Sequence, residues 1–166
     1  PNRSLEEISK MFIDAPLSQT PRKYLALFKM ALNEMHNGNF SRSIQLNKMS
    51  LAALPSDRKG SRGDEYAELS KCYAYIGDFK SAKNALKEAR YWYSQTKNKG
   101  LFSQYQLYHA AGLVDQMKGN LDRAEQYFKK GITVLKGFPV RKLESIIRAD
   151  LVENLILQGR LLEAES

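Results

Sequence analysis

The stretch AYIGDFKSAKNAL, residues 74–86, decides the fold. A helical pattern runs into it, is broken by glycine, an acid and an aromatic residue, and resumes at once, with a small residue three positions after the aromatic one. Glycine ends a helix in the left-handed conformation without a Cβ clash. The polar residue after it faces the turn. The large apolar residue then plugs the elbow between two antiparallel helices, and the small residue lets their axes approach closely.

The same device recurs as NGNFSRS (37–43), IGDFKSA (76–82), KGNLDRA (118–124) and QGRLLEA (158–164). Its glycines are Gly38, Gly77, Gly119 and Gly159, separated by 39, 42 and 40 residues. The elbow plugs are Phe40, Phe79, Leu121 and Leu161, and the small residues are Ser43, Ala82, Ala124 and Ala164. A turn repeated at near-constant spacing is the mark of a repeat architecture. Gly77 and Gly119 are expected at helix ends with positive φ.

Between the breaks the periodicity is helical. Leu27, Met30, Ala31 and Glu34 share one face, as do Tyr66, Leu69, Ser70 and Tyr73, and Leu151, Val152, Leu155 and Ile156. Such stripes must be buried. Strand alternation bounded by hairpin signals is absent. The pattern predicts nine helical segments. The first, 5–13, opens with Ser4 and Glu7 as a capping box. The second is capped by Thr20, carries Pro21 at its first position and ends at Gly38. The others fall at 41–54, 63–76, 80–96, 101–118, 122–135 and 140–158, with a last one starting at 161. Loops are predicted at 55–63, 97–100 and 136–139. Residues 1–20 read as a capping helix and linker, and 21–166 as repeats divided 21–57, 63–96, 101–138 and 140–166, the last truncated.

At these residues the chain resembles the tetratricopeptide repeat (TPR) family, whose unit is a helix–turn–helix with small and aromatic residues at fixed places. The third unit fits with Tyr108, Ala111 and Gly112, then Ala124, Phe128 and Gly131. The second fits with Tyr66, Leu69, Ser70 and Tyr73, then Ala82, Leu86 and Ala89. The first has Leu27, Met30, Ala31 and Ser43 and ends in Pro55; the fourth has Arg148, Leu151, Val152 and Leu155. The resemblance implies an all-α right-handed superhelix of antiparallel helix pairs. The family's usual unit has about 34 residues, and these are longer, with the surplus between second and first helices. Long units of this kind resemble the MalT-like sensor arms of bacterial transcription activators and the arrays fused to caspase-like (CHAT) proteases or other signalling effectors.

Composition sets the outer limits. The chain is 43% hydrophobic and 27% charged, ordinary for a soluble globular protein. No run of 18 apolar residues is present, so no membrane-spanning helix and no membrane partner are expected. Cys72 is the only cysteine; it excludes an internal disulfide, is expected to be buried, and fits a reducing compartment, read as cytoplasmic. The chain starts without methionine and stops just after a fourth break, so it reads as a fragment of a longer protein. A formal charge of +8 favours anionic partners.

Catalysis finds no support. His36 and His109 are the only histidines, and neither stands in metal-ligand spacing with Cys72 or an acid cluster. There is no phosphate-binding glycine loop and no nucleophile elbow. No enzyme activity, metal or cofactor is expected. Binding is what the resemblance implies: first helices line a concave groove that takes extended or helical peptides. Carried over, its groove-facing positions are Leu25, Phe28, Leu32, Met35 and His36; Asp64, Ala67, Glu68, Lys71 and Tyr75; Gln106, His109, Leu113 and Gln116; and Ile146, Ala149, Asp150, Glu153 and Ile156. Phe28, Lys71, Tyr75, His109, Gln116 and Glu153 are the binding residues singled out. A carboxylate clamp of the kind some TPR domains use is not expected, because Lys71 alone matches and four acids bring the opposite sign.

Lys80, Lys83, Lys87 and Arg90 follow at spacings of 3, 4 and 3 and form a basic stripe on one helix. Such a stripe is either a solvated outer face or a contact for nucleic acid or an acidic protein. The aromatic cluster at 91–94, with Phe102, Tyr105 and Tyr108, reads as an inter-repeat seam. The sequence thus predicts a scaffold for protein or peptide recognition within a larger regulatory protein, in company with other domains of the parent chain. A ligand-sensing arm for a small molecule and a basic module contacting nucleic acid or an acidic partner stand behind it.

Overall fold

Four glycines set the rhythm of the fold. In the computed structural model, which describes residues 23–96, 100–136 and 141–164, the positive-φ residues are Gly38 (77°), Gly77 (77°), Gly119 (81°) and Gly159 (74°). Each closes its helix in the same way. The amide of the residue after glycine donates to the carbonyl five residues back: Asn39 to Glu34 at 2.8 Å, Asp78 to Tyr73 at 2.9 Å, Asn120 to Asp115 at 2.9 Å and Arg160 to Leu155 at 3.0 Å. This is the Schellman closure, which satisfies carbonyls that a helix end otherwise leaves unpaired.

The helices are α1 (Lys23–His36), α2 (Phe40–Ala53), α3 (Lys59–Tyr75), α4 (Phe79–Ser94), α5 (Leu101–Met117), α6 (Leu121–Leu135), α7 (Arg141–Leu157) and α8 (Leu161–Ala164). No strand occurs among the described residues. The expected helix at 5–13, its capping box and the Thr20/Pro21 start lie outside them. The chain is all-α, a TPR-like superhelix of antiparallel pairs. Within the pairs α1 packs on α2, α3 on α4 and α5 on α6; α2 then packs on α3, α4 on α5 and α6 on α7. First helices also meet one another, α1 with α3, α3 with α5 and α5 with α7, whereas α2, α4 and α6 make no substantial packing among themselves. The layer of first helices is therefore the inner, concave one.

The core is a series of small clusters that straddle neighbouring helices. Ile44, Leu69, Cys72 and Ala85 join α2, α3 and α4. Ala67, Ala89, Tyr93 and Ala110 join α3, α4 and α5. Tyr105, Phe128, Leu135 and Ile147 join α5, α6 and α7. Ser43, Ala82 and Ala124 are wholly buried at the close approaches, and Ala164 is half-buried. Cys72 is buried as expected; burial pushes its thiol up to about 11, and Sγ donates to Ser43 Oγ at 3.3 Å.

The elbow residues reach beyond their own pair. Phe40 stacks on Tyr75 of the next unit with ring centres 4.5 Å apart. Lys118 of the next unit lies 5.9 Å above the Phe79 ring. The Leu121 carbonyl accepts from Asn154 Nδ2 at 3.0 Å. Leu161 remains mostly exposed.

One boundary differs from the sequence reading by more than two residues. α3 begins at Lys59, so residues 59–62, expected in a loop, are helical. Gly60 and Gly63 look like turn residues, but Gly63 serves packing: a Cβ there would lie 2.5 Å from the Tyr93 ring. Arg62 reaches back to the Leu54 carbonyl at 2.9 Å and covers the Trp92 ring at 5.2 Å.

A Cβ at Gly77 meets nothing within 4 Å. The cost of a side chain there is therefore conformational rather than steric. Gly77→Val is expected to lower stability by about 1–3 kcal/mol, the usual strain of a left-handed non-glycine residue. The urea midpoint reports it, and an unchanged midpoint would contradict the turn geometry.

Candidate functional site

The concave face is built from helical spacing. Residues three, four and seven apart share a helix face, so Glu68, Lys71 and Tyr75 of α3 stand in line, as do Tyr105 and His109 of α5, and Asp150 and Glu153 of α7. The inner curvature brings these three lines together.

Two ion pairs hold the centre. Lys71 Nζ donates to Glu68 Oε1 at 2.6 Å, with both side chains 5% exposed. An ammonium so deeply desolvated needs its counter-charge close by. His109 Nε2 lies 2.6 Å from Asp150 Oδ2 and donates to it. This leaves Nδ1 to accept from the Tyr105 hydroxyl at 3.4 Å, and the two rings stack 5.5 Å apart. Burial lowers the pKa of His109 and outweighs the opposing bond to Asp150, so the neutral tautomer fits the network. Burial raises the Tyr105 phenol, with Glu68 and Asp150 adding to it.

Tyr75 is the open edge of this group, 36% exposed. Its phenol is pushed up to about 12, first by burial and then by Asp150 and Glu153; these acids stand two units along the chain. At the other end of α3, Tyr93 Oη donates to Asp64 Oδ1 at 2.6 Å, and burial raises Asp64 to about 6.

Of the residues singled out by sequence, Lys71, Tyr75, His109 and Glu153 fall within this electrostatic group. Phe28 is half-buried on α1. Gln116 is buried, and its Oε1 has no hydrogen-bond partner. Neither Phe28 nor Gln116 is joined to the group by a described hydrogen bond or ring contact. The charge of Lys71 is taken up by Glu68. Ala67 and Leu113, carried over as groove positions, belong to the core instead. Leu25, His36, Ala149 and Ile156 are exposed, while Leu32, Met35 and Ile146 are half-buried.

Another buried acid was not anticipated. The Glu65 carboxyl, 1% exposed, is bonded to Ser50 Oγ, and Ser50 also donates to the Tyr24 carbonyl at 2.7 Å. A hydroxyl has one proton. Ser50 Oγ thus faces two acceptors with one proton, and both bonds are fully made when Glu65 is the neutral acid and donates to Ser50. Burial accordingly raises Glu65 to about 8. Nothing in the local sequence marks this contact, because Ser50 and Tyr24 come from another pair.

On the outer face Lys80, Lys83, Lys87 and Arg90 are all exposed on α4. Of the aromatic cluster, Tyr93 and Tyr105 are buried in the inter-repeat core, and Tyr91 is exposed. No group of three or more His, Cys, Asp or Glu is placed to hold a metal ion among the described residues. None of the described helices is long and apolar enough to cross a membrane.

No protein-family model matches the chain, and no curated protein matches it. Solved structures do. A Signal Transduction ATPase with Numerous Domains (STAND) protein with a tetratricopeptide repeat sensor, from Pyrococcus horikoshii, superimposes with a TM-score of 0.71 at 16% identity over 96% of this chain. The chain spans 25% of that protein's length. Two structures of nearly identical TPR-like repeats from a Podosopora anserina protein named as a kinesin light chain give TM-scores of 0.55 and 0.53 at 18% identity. They cover 97% of this chain and 78% and 79% of theirs. At these identities the likeness shows the fold, a TPR-like helical-repeat scaffold.

Proposed function

We propose that the chain is a non-catalytic recognition module whose concave face binds a peptide segment of a protein partner. The observation that carries this reading is the convergence of Tyr75, His109, Asp150 and Glu153 from three successive units onto one inner face. Tyr75 offers flat area with a polar edge, and Glu153 an exposed charge whose field reaches it. The Lys71–Glu68 and His109–Asp150 pairs hold the floor rigid, which cuts the ordering cost of binding. A second reading, that the module is the sensor arm of a larger cytoplasmic regulatory protein, is supported by the likeness to the sensor-bearing STAND protein.

The test uses peptides selected by display on the wild-type chain. Lys71→Ala is a poor probe, because it strands the Glu68 carboxylate in the interior. Glu153→Gln alters an exposed group and leaves the fold alone, whereas Tyr75→Ala also removes the stack on Phe40 and so costs some stability. Tyr75→Ala is expected to weaken the selected peptides about tenfold or more, as loss of an aromatic anchor does, with the chain still folded at the assay temperature despite the lost stack on Phe40. Reversing Lys83 and Lys87 to Glu should leave their affinity intact. Selected peptides indifferent to both Tyr75→Ala and Glu153→Gln would overturn the assignment.

A further inference from the structure

We propose a second binding site, on the opposite side of the solenoid: the valley between α4 and α6 takes an acidic amphipathic helix from a protein partner. Because α4 and α6 do not pack on each other, a cleft of about 560 Å³ lies between them over α5. Five cations line it: Lys83, Lys87 and Arg90 from α4, Lys118 from the end of α5 and Arg123 from the start of α6. Asp115 is the one carboxylate among the lining residues, and it is engaged by Asn120 Nδ2 at 3.0 Å and Arg123 at 3.4 Å. Lys83, Lys87 and Arg90 make no hydrogen bond or ion pair among the described residues. Unpaired like charges along a walled cleft focus a positive potential there.

The architecture alone does not produce this charge. The equivalent valley one unit earlier, between α2 and α4, has a volume of about 330 Å³ and is lined by one lysine, Lys48, and one acid, Glu88. The fold makes a valley at each step, and the sequence charges the later one. Its floor is apolar, formed by Leu86, Ala111 and Val114 with Tyr127 at the side.

Charge and floor together specify the occupant. Lys83, Lys87 and Arg90 rise one per helical turn, about 5.4 Å. Glutamates at the same pitch on a facing helix match that row, and an apolar stripe beside them fills the floor. A recessed aliphatic floor suits a side chain better than a phosphate backbone, which needs cations on an accessible ridge.

The experiment is fluorescence anisotropy on the full chain at physiological ionic strength. The probe is a labelled synthetic peptide with one glutamate per helical turn and leucines on the adjoining stripe. Companion probes replace every glutamate by glutamine, replace the leucines by serine, or are a labelled single-stranded oligothymidylate. The acidic amphipathic peptide is expected to bind wild type. It should lose about tenfold or more in the Lys83→Glu/Lys87→Glu variant, as two charge contacts become repulsive. The glutamine and serine probes should each bind several-fold more weakly, and Tyr75→Ala should change nothing. Failure of the acidic peptide to bind wild type, or equal binding to wild type and the reversed variant, overturns the site. So does a serine probe that binds as well as the leucine one, because the floor then plays no part. Tighter binding of the oligonucleotide with the same dependence on Lys83 and Lys87 replaces the peptide by a nucleic-acid backbone. Equal sensitivity to Tyr75→Ala moves the peptide to the concave face, so the two sites succeed or fail separately.

Discussion

Gly112→Val is expected to destabilise the chain by about 3 kcal/mol, the upper part of the range for overpacking a closely filled core. A Cβ at Gly112 would lie 2.4 Å from Phe128 Cε1 and 2.6 Å from its Cδ1. That ring is wholly buried among Tyr105, Leu135 and Ile147, so it has nowhere to move. Even Gly112→Ala is expected to destabilise, although alanine gains up to about 1 kcal/mol of intrinsic helix preference. Gly60 is the control, because its added Cβ meets only Thr96 Cγ2 at an ordinary 3.7 Å. Gly60→Ala should therefore be neutral or stabilising, the same chemical change with the opposite sign. Trimming the ring in a Gly112→Ala/Phe128→Leu double variant should cost less than the two single changes added together, because neighbours that collide do not act independently. Urea midpoints of these variants and of Phe128→Leu alone measure this. A Gly112→Val protein as stable as wild type would mean that α5 and α6 are not so closely apposed.

Stability is also expected to fall as pH rises, through Glu65. Its folded pKa of about 8 stands above the ordinary 4.5. The folded chain therefore keeps a proton that the unfolded chain releases between those values. The contribution is complete below about 4.5, is lost as pH climbs to about 8, and is flat beyond. The slope approaches 1.4 kcal/mol per pH unit and the total is on the order of a few kcal/mol. Asp64, raised to about 6, works in the same direction at lower pH. His109, whose pKa is lowered from 6.5, works in the opposite direction: the unfolded chain takes up its proton first, so stability is lost below about 6.5. The clean window for Glu65 therefore lies between about pH 7 and 8. Across it the urea midpoint of wild type should fall while that of Glu65→Gln stays nearly level. Glutamine keeps the geometry because its amide donates to Ser50 as the carboxylic acid does. A wild-type midpoint that does not move across this window would show that Glu65 is ionised in the fold.

The sequence announces some of these features plainly and conceals others. The elbows were legible because their signal is backbone chemistry: a left-handed residue must be glycine, and four of them in register allow few folds. The start of α3 was hidden because Gly60 and Gly63 suggest a turn. Gly63 is there for the Tyr93 ring, which only the folded pair brings near. The groove face was half legible. The resemblance carried Lys71, Tyr75 and His109 over as groove positions, but a carried-over position does not report depth. That Lys71 is sealed against Glu68, and His109 against Asp150 from the next unit, depends on curvature between units. Glu65 was invisible for the same reason: its partners, Ser50 and Tyr24, come from the preceding pair.

The packing of each helix only on its near neighbours has a kinetic side. Among the described residues every substantial helix–helix contact joins elements one or two apart in the chain, so no distant loop must be closed before these contacts form. Chains of this kind have low contact order and fold fast. Any adjacent hairpins can act as the nucleus, and order spreads from them along the array by successive docking, as in a one-dimensional lattice. A lesion such as valine at Gly112 would then act as a boundary where that spread halts, leaving helices on one side ordered while those on the other open.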